Sequence, residues 1–223
     1  MRSLLLFLLF TTAASVSNAQ LKIDNAVFFI QPGATVTVQG DVTSNVDIQG
    51  TGLLQLKGSA LQNVDMGGFT IPNLELDNAL GATLLNTSAR IGSSMLFTTG
   101  KFQTGNFNAT LGPSATITGA NSSRFFWING TGQLRKELTA DIAAYELPVG
   151  ENANYRPAYL TTSGSAYGGG ANFGVRVSAA ADVNNPPMAA TFLKTSWQVT
   201  KTSITGGTVT LAGQYIDPAD VTG

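Results

Sequence analysis

The chain has 223 residues, 43% of them hydrophobic and 12 of them Phe, which excludes a disordered chain and is enough to build a packed core. It holds no Cys, so a disulfide-stapled scaffold and thiol chemistry are excluded. It holds no His, which removes Ser-His-Asp triads, imidazole bases and the commonest transition-metal ligand. With a formal net charge of −1, neither nucleic acid nor an anionic membrane is an expected partner.

In chain order, the first element is a leader. Arg2 precedes an apolar run over residues 4–10, and Ser17-Asn18-Ala19 supplies the small residues that a signal peptidase reads. The run is too short for a bilayer core of about 30 Å. Cleavage is therefore expected between Ala19 and Gln20, leaving no transmembrane span, and no Cys follows for lipid attachment. Loss of Arg2 leaves 11 basic against 13 acidic residues.

From about residue 26 to 132, short alternating runs recur: Val36 and Val38, Val46 and Ile48, Leu54 and Leu56, Leu74 and Leu76. Residues 96–119 then place Phe107, Ala109 and Leu111, and after them Ala115 and Ile117, on one face between turns at Gly100, Gly105, Gly112 and Gly119. The anchors Val36, Leu54, Leu74 and Leu96 step by 18, 20 and 22 residues, a loose version of one coil per repeat. The expected fold class is all-β, with a right-handed parallel β-solenoid over 20–132. A sandwich with strands every 8–12 residues is the alternative. Helical periodicity is lacking; only 178–183 and 187–193, around Pro186-Pro187, could form a short helix.

Residues 133–223 read as a sandwich-like domain, with strands expected over 155–162, 173–179, 196–201 and 208–214 and a flexible glycine loop over 164–170. An edge strand is expected near 208–215. The chain stops just after Asp217-Pro218-Ala219-Asp220 with no strand visibly complete, so further domains are expected C-terminal to Gly223.

Candidate chemistry is sparse. A carboxylate pair for glycoside hydrolysis could come from Asp24, Asp41, Asp47, Asp65, Glu75 or Asp77. Glu75 and Asp77, however, flank inward Leu76 on the face where carboxylates are normally solvated. Asp217 and Asp220 could bind calcium, but two acids are few, and an Asx-type turn accounts for them. The aromatic cluster Phe125-Phe126-Trp127, with Tyr145, Tyr155 and Tyr159, reads first as a buried junction. Trp127, Tyr155 and Tyr159 are the candidate glycan contacts. Arg135, Lys136, Glu137, Asp141 and Glu146 form the densest charge group, expected to decorate the connection between the two parts. No catalytic residue, metal ligand or cofactor is expected.

Several motifs fall in a familiar order. Residues 56–85, LKGSALQNVDMGGFTIPNLELDNALGATLL, contain a G-x-x-x-Q turn followed by an N-L-x-x-(D/N)-N strand. Residues 98–136 end in Gly132-Gln133-Leu134-Arg135-Lys136. Glu146-Leu147-Pro148-Val149-Gly150 with Tyr155-Arg156-Pro157, and then Trp197-Gln198-Val199, complete the set. This order resembles large secreted surface proteins of Bacteroidetes-type bacteria. The resemblance implies a right-handed β-helix region, a place on the outer-membrane exterior, and export by type IX secretion, whose C-terminal sorting domain this chain does not show. It brings no catalytic residues. The expected function is a non-enzymatic structural or adhesin-like stalk with extracellular glycans or cell-surface proteins as partners. A carbohydrate-binding module, or a non-catalytic part of a larger carbohydrate-active enzyme, is the alternative.

Overall fold

Alternating side chains and closely spaced turns give this chain two long parallel sheets facing each other across an apolar interior. A computed structural model describes residues 19–181 and 191–222. The expected leader, and residues 182–190 of the two expected short helices (178–183 and 187–193), lie outside the described residues; at the described ends of those stretches Ser178 closes a strand and Phe192–Leu193 pairs as one, so extended pairing replaces the helix there. Among the described residues every regular element is a strand, and no helix is long and apolar enough to cross a membrane.

One sheet stacks Leu21–Ile23, Val42–Ser44, Gln62–Asp65, Ala82–Leu84, Phe102–Gln103, Phe126–Trp127 and Val149–Glu151 in parallel. The other stacks Thr35–Val38, Leu53–Leu56, Thr70–Asp77, Ala89–Thr99, Ala109–Leu111 and Leu134–Glu137. The chain visits the two sheets in turn, which makes a β-solenoid of about six turns. In the first coils, Phe28–Ile30 pairs with Ile48–Gly50 as a short third side.

Register lines like side chains up rung over rung. Val38, Leu56, Leu76 and Phe97 form one inward row, and Ile71, Ile91 and Leu111 another. All seven are buried. Across the interior, Ala82, Phe102, Phe126 and Val149 are stacked in register. The Phe126 ring meets Phe97 edge-on at 5.2 Å and Phe102 at 5.6 Å, so aromatic rings fill the interior of the late coils. Each such side chain contributes about 1.5–3 kcal/mol by burial. The solenoid therefore needs no disulfide.

The fourth sequence anchor is displaced. Leu74 pairs with Met95, and Leu96 is paired with Glu75 on the outer side. Ala89–Thr99 slips register between Ile91 and Ser94, and a one-residue slip moves a side chain to the opposite face. Met95 is accordingly fully buried while Leu96 is half-buried. The same irregularity lets this long strand pair with Ala109–Leu111 at its start and Thr116–Thr118 near its end.

The sheets run on past residue 132. Leu134–Glu137 is parallel to Ala109–Leu111, and the same sheet then continues in antiparallel fashion through Ala166–Ser178 and Ser196–Thr205. Asn154–Tyr155 turns back antiparallel on Val149–Glu151. Tyr145–Leu147, Ala158–Ser163 and Thr208–Gly213 form a separate antiparallel sheet in which the last strand is an edge. The expected loop over 164–170 is different: Gly168, Gly169 and Gly170 lie inside Ala166–Ser178. Pairing jumps there from Tyr167↔Ile204 to Asn172↔Thr202, so the glycines form a wide bulge opposite Ser203.

Candidate functional site

The outer faces of the coils carry most of the polar side chains, and these hold one another. Thr37 donates to Gln55, Gln55 donates to Glu75 at 3.0 Å, and Thr98 donates to the other Glu75 oxygen at 2.7 Å, one chain of hydrogen bonds across four coils. Glu75 is 9% exposed, not solvated as the alternation implied, because a pleated face of stacked coils leaves little room between neighbouring rungs. Asp77 pairs with Lys57 at 2.8 Å and accepts from Thr99. Asp24 accepts from Asn45, Asp41 from Asn63, Asp47 from the Thr70 N–H, and Asp65 from Asn86 and Thr87. Burial works against ionisation of Asp65, but the Thr87, Asn86 and Gly67 bonds outweigh it and hold its pKa below the usual carboxylate range. The six candidate acids are thus distributed along the rod as ties between coils. Among the described residues, no three or more acids come together to hold a metal.

The acids near the C-terminal end have other roles. Asp220 receives Nε of Arg156 at 2.7 Å as well as its Nη2, and both side chains are 3% exposed. It also accepts the Ile216 N–H at 2.8 Å, and these bonds, led by Arg156, pull its pKa down. Its oxygens are committed to a buried ion pair that fastens 216–220 onto the turn at Arg156, an arrangement that displaces the calcium reading. Trp197 joins the same knot through an indole N–H bond to the Arg156 carbonyl at 3.2 Å.

Lys136 corrects the reading of the charge cluster. It follows Leu111 in the apolar row, is 1% exposed, and donates to the carbonyls of Gly112 at 2.5 Å, Pro113 at 2.7 Å and Ala115 at 3.3 Å. The Tyr145 ring closes the cage, its centroid 4.8 Å from Nζ, while its hydroxyl donates to the Ala115 carbonyl. Burial lowers the Lys136 pKa to about 8, against the nearby Glu137 charge. Its alternation with Leu134 and Leu138 was the available sequence signal: all three share the inner face. Arg135 and Glu137 point the other way, and Glu137 makes a forked bond with Arg90.

The aromatic cluster divides. Phe126 is core. Phe125 points outward yet is 0% exposed, covered by Tyr155 with ring centroids 5.5 Å apart and by Lys101, whose Nζ lies 4.8 Å from its centroid. Gly150 lies against it, since a Cβ there would stand 2.5 Å from the ring. Trp127 stays half-exposed and lines a cleft of about 510 Å³ with Asn129, Glu151, Asn152, Arg176 and Ser178. Tyr155 donates its hydroxyl to Glu146, and Tyr159 is the cross-strand neighbour of Glu146. Burial first, and that carboxylate second, push both phenol pKa values up. The three candidate glycan contacts therefore occupy two places: Tyr155 and Tyr159 gather round Glu146, and Trp127 faces its own cleft. Comparison of the chain with protein-family models, with curated proteins and with solved structures finds no match.

Proposed function

We propose that this protein is a secreted, non-enzymatic surface component whose solenoid acts as a stiff spacer or adhesive stalk. The observation that carries the reading is the outer hydrogen-bond chain Thr37–Gln55–Glu75–Thr98 laid over the inner row Val38–Leu56–Leu76–Phe97. Both faces of the same strands are tied coil to coil, as a rod that resists bending requires. At about 4.8 Å per strand, six turns give a rod of roughly 30 Å. The proposal places it on the outer-membrane exterior of a Bacteroidetes-type bacterium, exported by type IX secretion, with 133–223 as a sandwich-like end piece. The change from parallel to antiparallel pairing after Leu134–Glu137 supports that end piece. Partners in this reading are extracellular glycans or cell-surface proteins.

The test is antibody labelling and protease shaving of intact cells expressing the full open reading frame, with N-terminal sequencing of the exported protein. Labelling without permeabilisation and a first residue of Gln20 are expected. Labelling only after permeabilisation, with the leader intact, overturns the proposal.

A further inference from the structure

We propose that the cleft beside Trp127 is a saccharide-binding site, an inference that holds whether or not the solenoid serves as a spacer. The large rings of Phe97, Phe102, Phe125 and Phe126 are buried, whereas Trp127 keeps part of its indole open toward a concavity. That concavity, about 510 Å³, falls in the size range of small-ligand sites. Strands supply Trp127, Glu151, Arg176 and Ser178, and the turns that follow two of those strands supply Asn129 and Asn152. Trp127 is held in register between Gln103 and Gly150, which fixes its position on the outer face of the sheet.

The polar groups around it suit hydroxyls. Glu151 is fixed by the Ala179 N–H and Arg176 by the Gln198 side-chain oxygen, so both are held in place before any ligand arrives. Asn152 is an exposed turn residue whose carbonyl holds Lys101, and the Lys101 ammonium lies 5.8 Å from the Trp127 ring. Asn129 completes the wall, fixed by its bond to Gln103 at 2.9 Å. An aromatic face bordered by an amide, a carboxylate and a guanidinium matches the apolar face and hydroxyl rim of a pyranose ring. Ile128 and Val177 also line the cleft, but a lipid tail there would leave the Glu151 carboxylate, the Arg176 guanidinium and two amides facing hydrocarbon.

The experiment titrates the full chain with two probes, a neutral cellohexaose and an acidic hexagalacturonate, read by calorimetry and by intrinsic fluorescence. The chain has two Trp, and Trp197, tied to the Arg156 carbonyl, serves as the internal reference. Saturable binding of at least one probe is expected. Trp127→Ala should weaken it about tenfold or more with an unchanged melting temperature, and Trp197 should not respond. Arg176→Ala, on the opposite wall, should by itself weaken binding about fivefold, which keeps the test decisive if Trp127→Ala fails to fold. Binding of hexagalacturonate alone identifies an acidic sugar, and equal binding of both identifies recognition of the ring. Lack of saturable binding by either probe, or binding unchanged in both folded variants, overturns the proposal.

Discussion

Lys136 offers the sharpest quantitative test of the core, because an ammonium there sits in a row otherwise built of Ile71, Ile91 and Leu111. Its folded pKa is about 8, against 10.5 for a free lysine. Below pH 8 both states carry the proton and burial of the charge opposes folding in full. Between pH 8 and 10.5 the unfolded state binds the proton and the folded state does not, so stability rises with pH. At 1.36 kcal/mol per pKa unit the gain is about 2 kcal/mol by pH 9.5. Lys136→Met removes the titration. All three carbonyls lose the ammonium, but Gly112 and Ala115 keep other donors, the Ala115 N–H and the Tyr145 hydroxyl, and only the Pro113 carbonyl is left unpaired, a loss of about 1–3 kcal/mol. Relief of the buried charge offsets that, so the variant should lie within about 2 kcal/mol of the parent at pH 7. Denaturant unfolding of both proteins from pH 7 to 9.5, before most tyrosines ionise, measures the difference. The parent should gain about 2 kcal/mol relative to Lys136→Met across that range. Parallel curves would refute the reasoning and mean that the three carbonyls hold the ammonium as strongly as water does.

Other expectations concern named contacts. Asp220→Ala strands the Arg156 charge in a dry site and should cost about 3–5 kcal/mol by denaturant unfolding; a loss under 1 kcal/mol would show the pair to be dispensable. Phe126→Ala opens a cavity between Phe97 and Phe102 and should cost about 3–5 kcal/mol in the same assay. Gly100 has φ +83° and a Cβ there would stand 1.9 Å from the Asn78 carbonyl oxygen, so Gly100→Ala should cost at least about 1–3 kcal/mol. Gly169→Ala, which meets nothing within 4 Å, should stay within about 0.5 kcal/mol. In acid, Asp65 and Asp220 have folded pKa values below 3.8, so their contributions should persist down to that range and disappear as pH falls through it, followed by circular dichroism.

Alternation at Leu54, Leu56, Leu74 and Leu76, and the glycine turns between runs, were sufficient to predict an all-β chain of stacked coils, because side-chain period and turn chemistry are local properties. The same local rule was misapplied at Lys136. A charged residue was read as surface although Leu134 and Leu138 on either side of it face inward. Leu96 failed for another reason: the slip between Ile91 and Ser94 is chosen by how neighbouring rungs fit, and no single strand encodes it.

The sequence by itself determined the strand content, the inward aliphatic ladder and the absence of thiol and imidazole chemistry. Tertiary structure alone decided that Glu75 is enclosed between Gln55 and Thr98, that Arg156 meets Asp220 across 64 residues, and that Trp127 opens onto a cleft apart from Tyr155 and Tyr159. The physical reason is separation along the chain. Contacts between rungs some 20 residues apart, or between a turn and a distant segment, depend on register and on what the interior can accommodate, and those exist only once the coils are stacked.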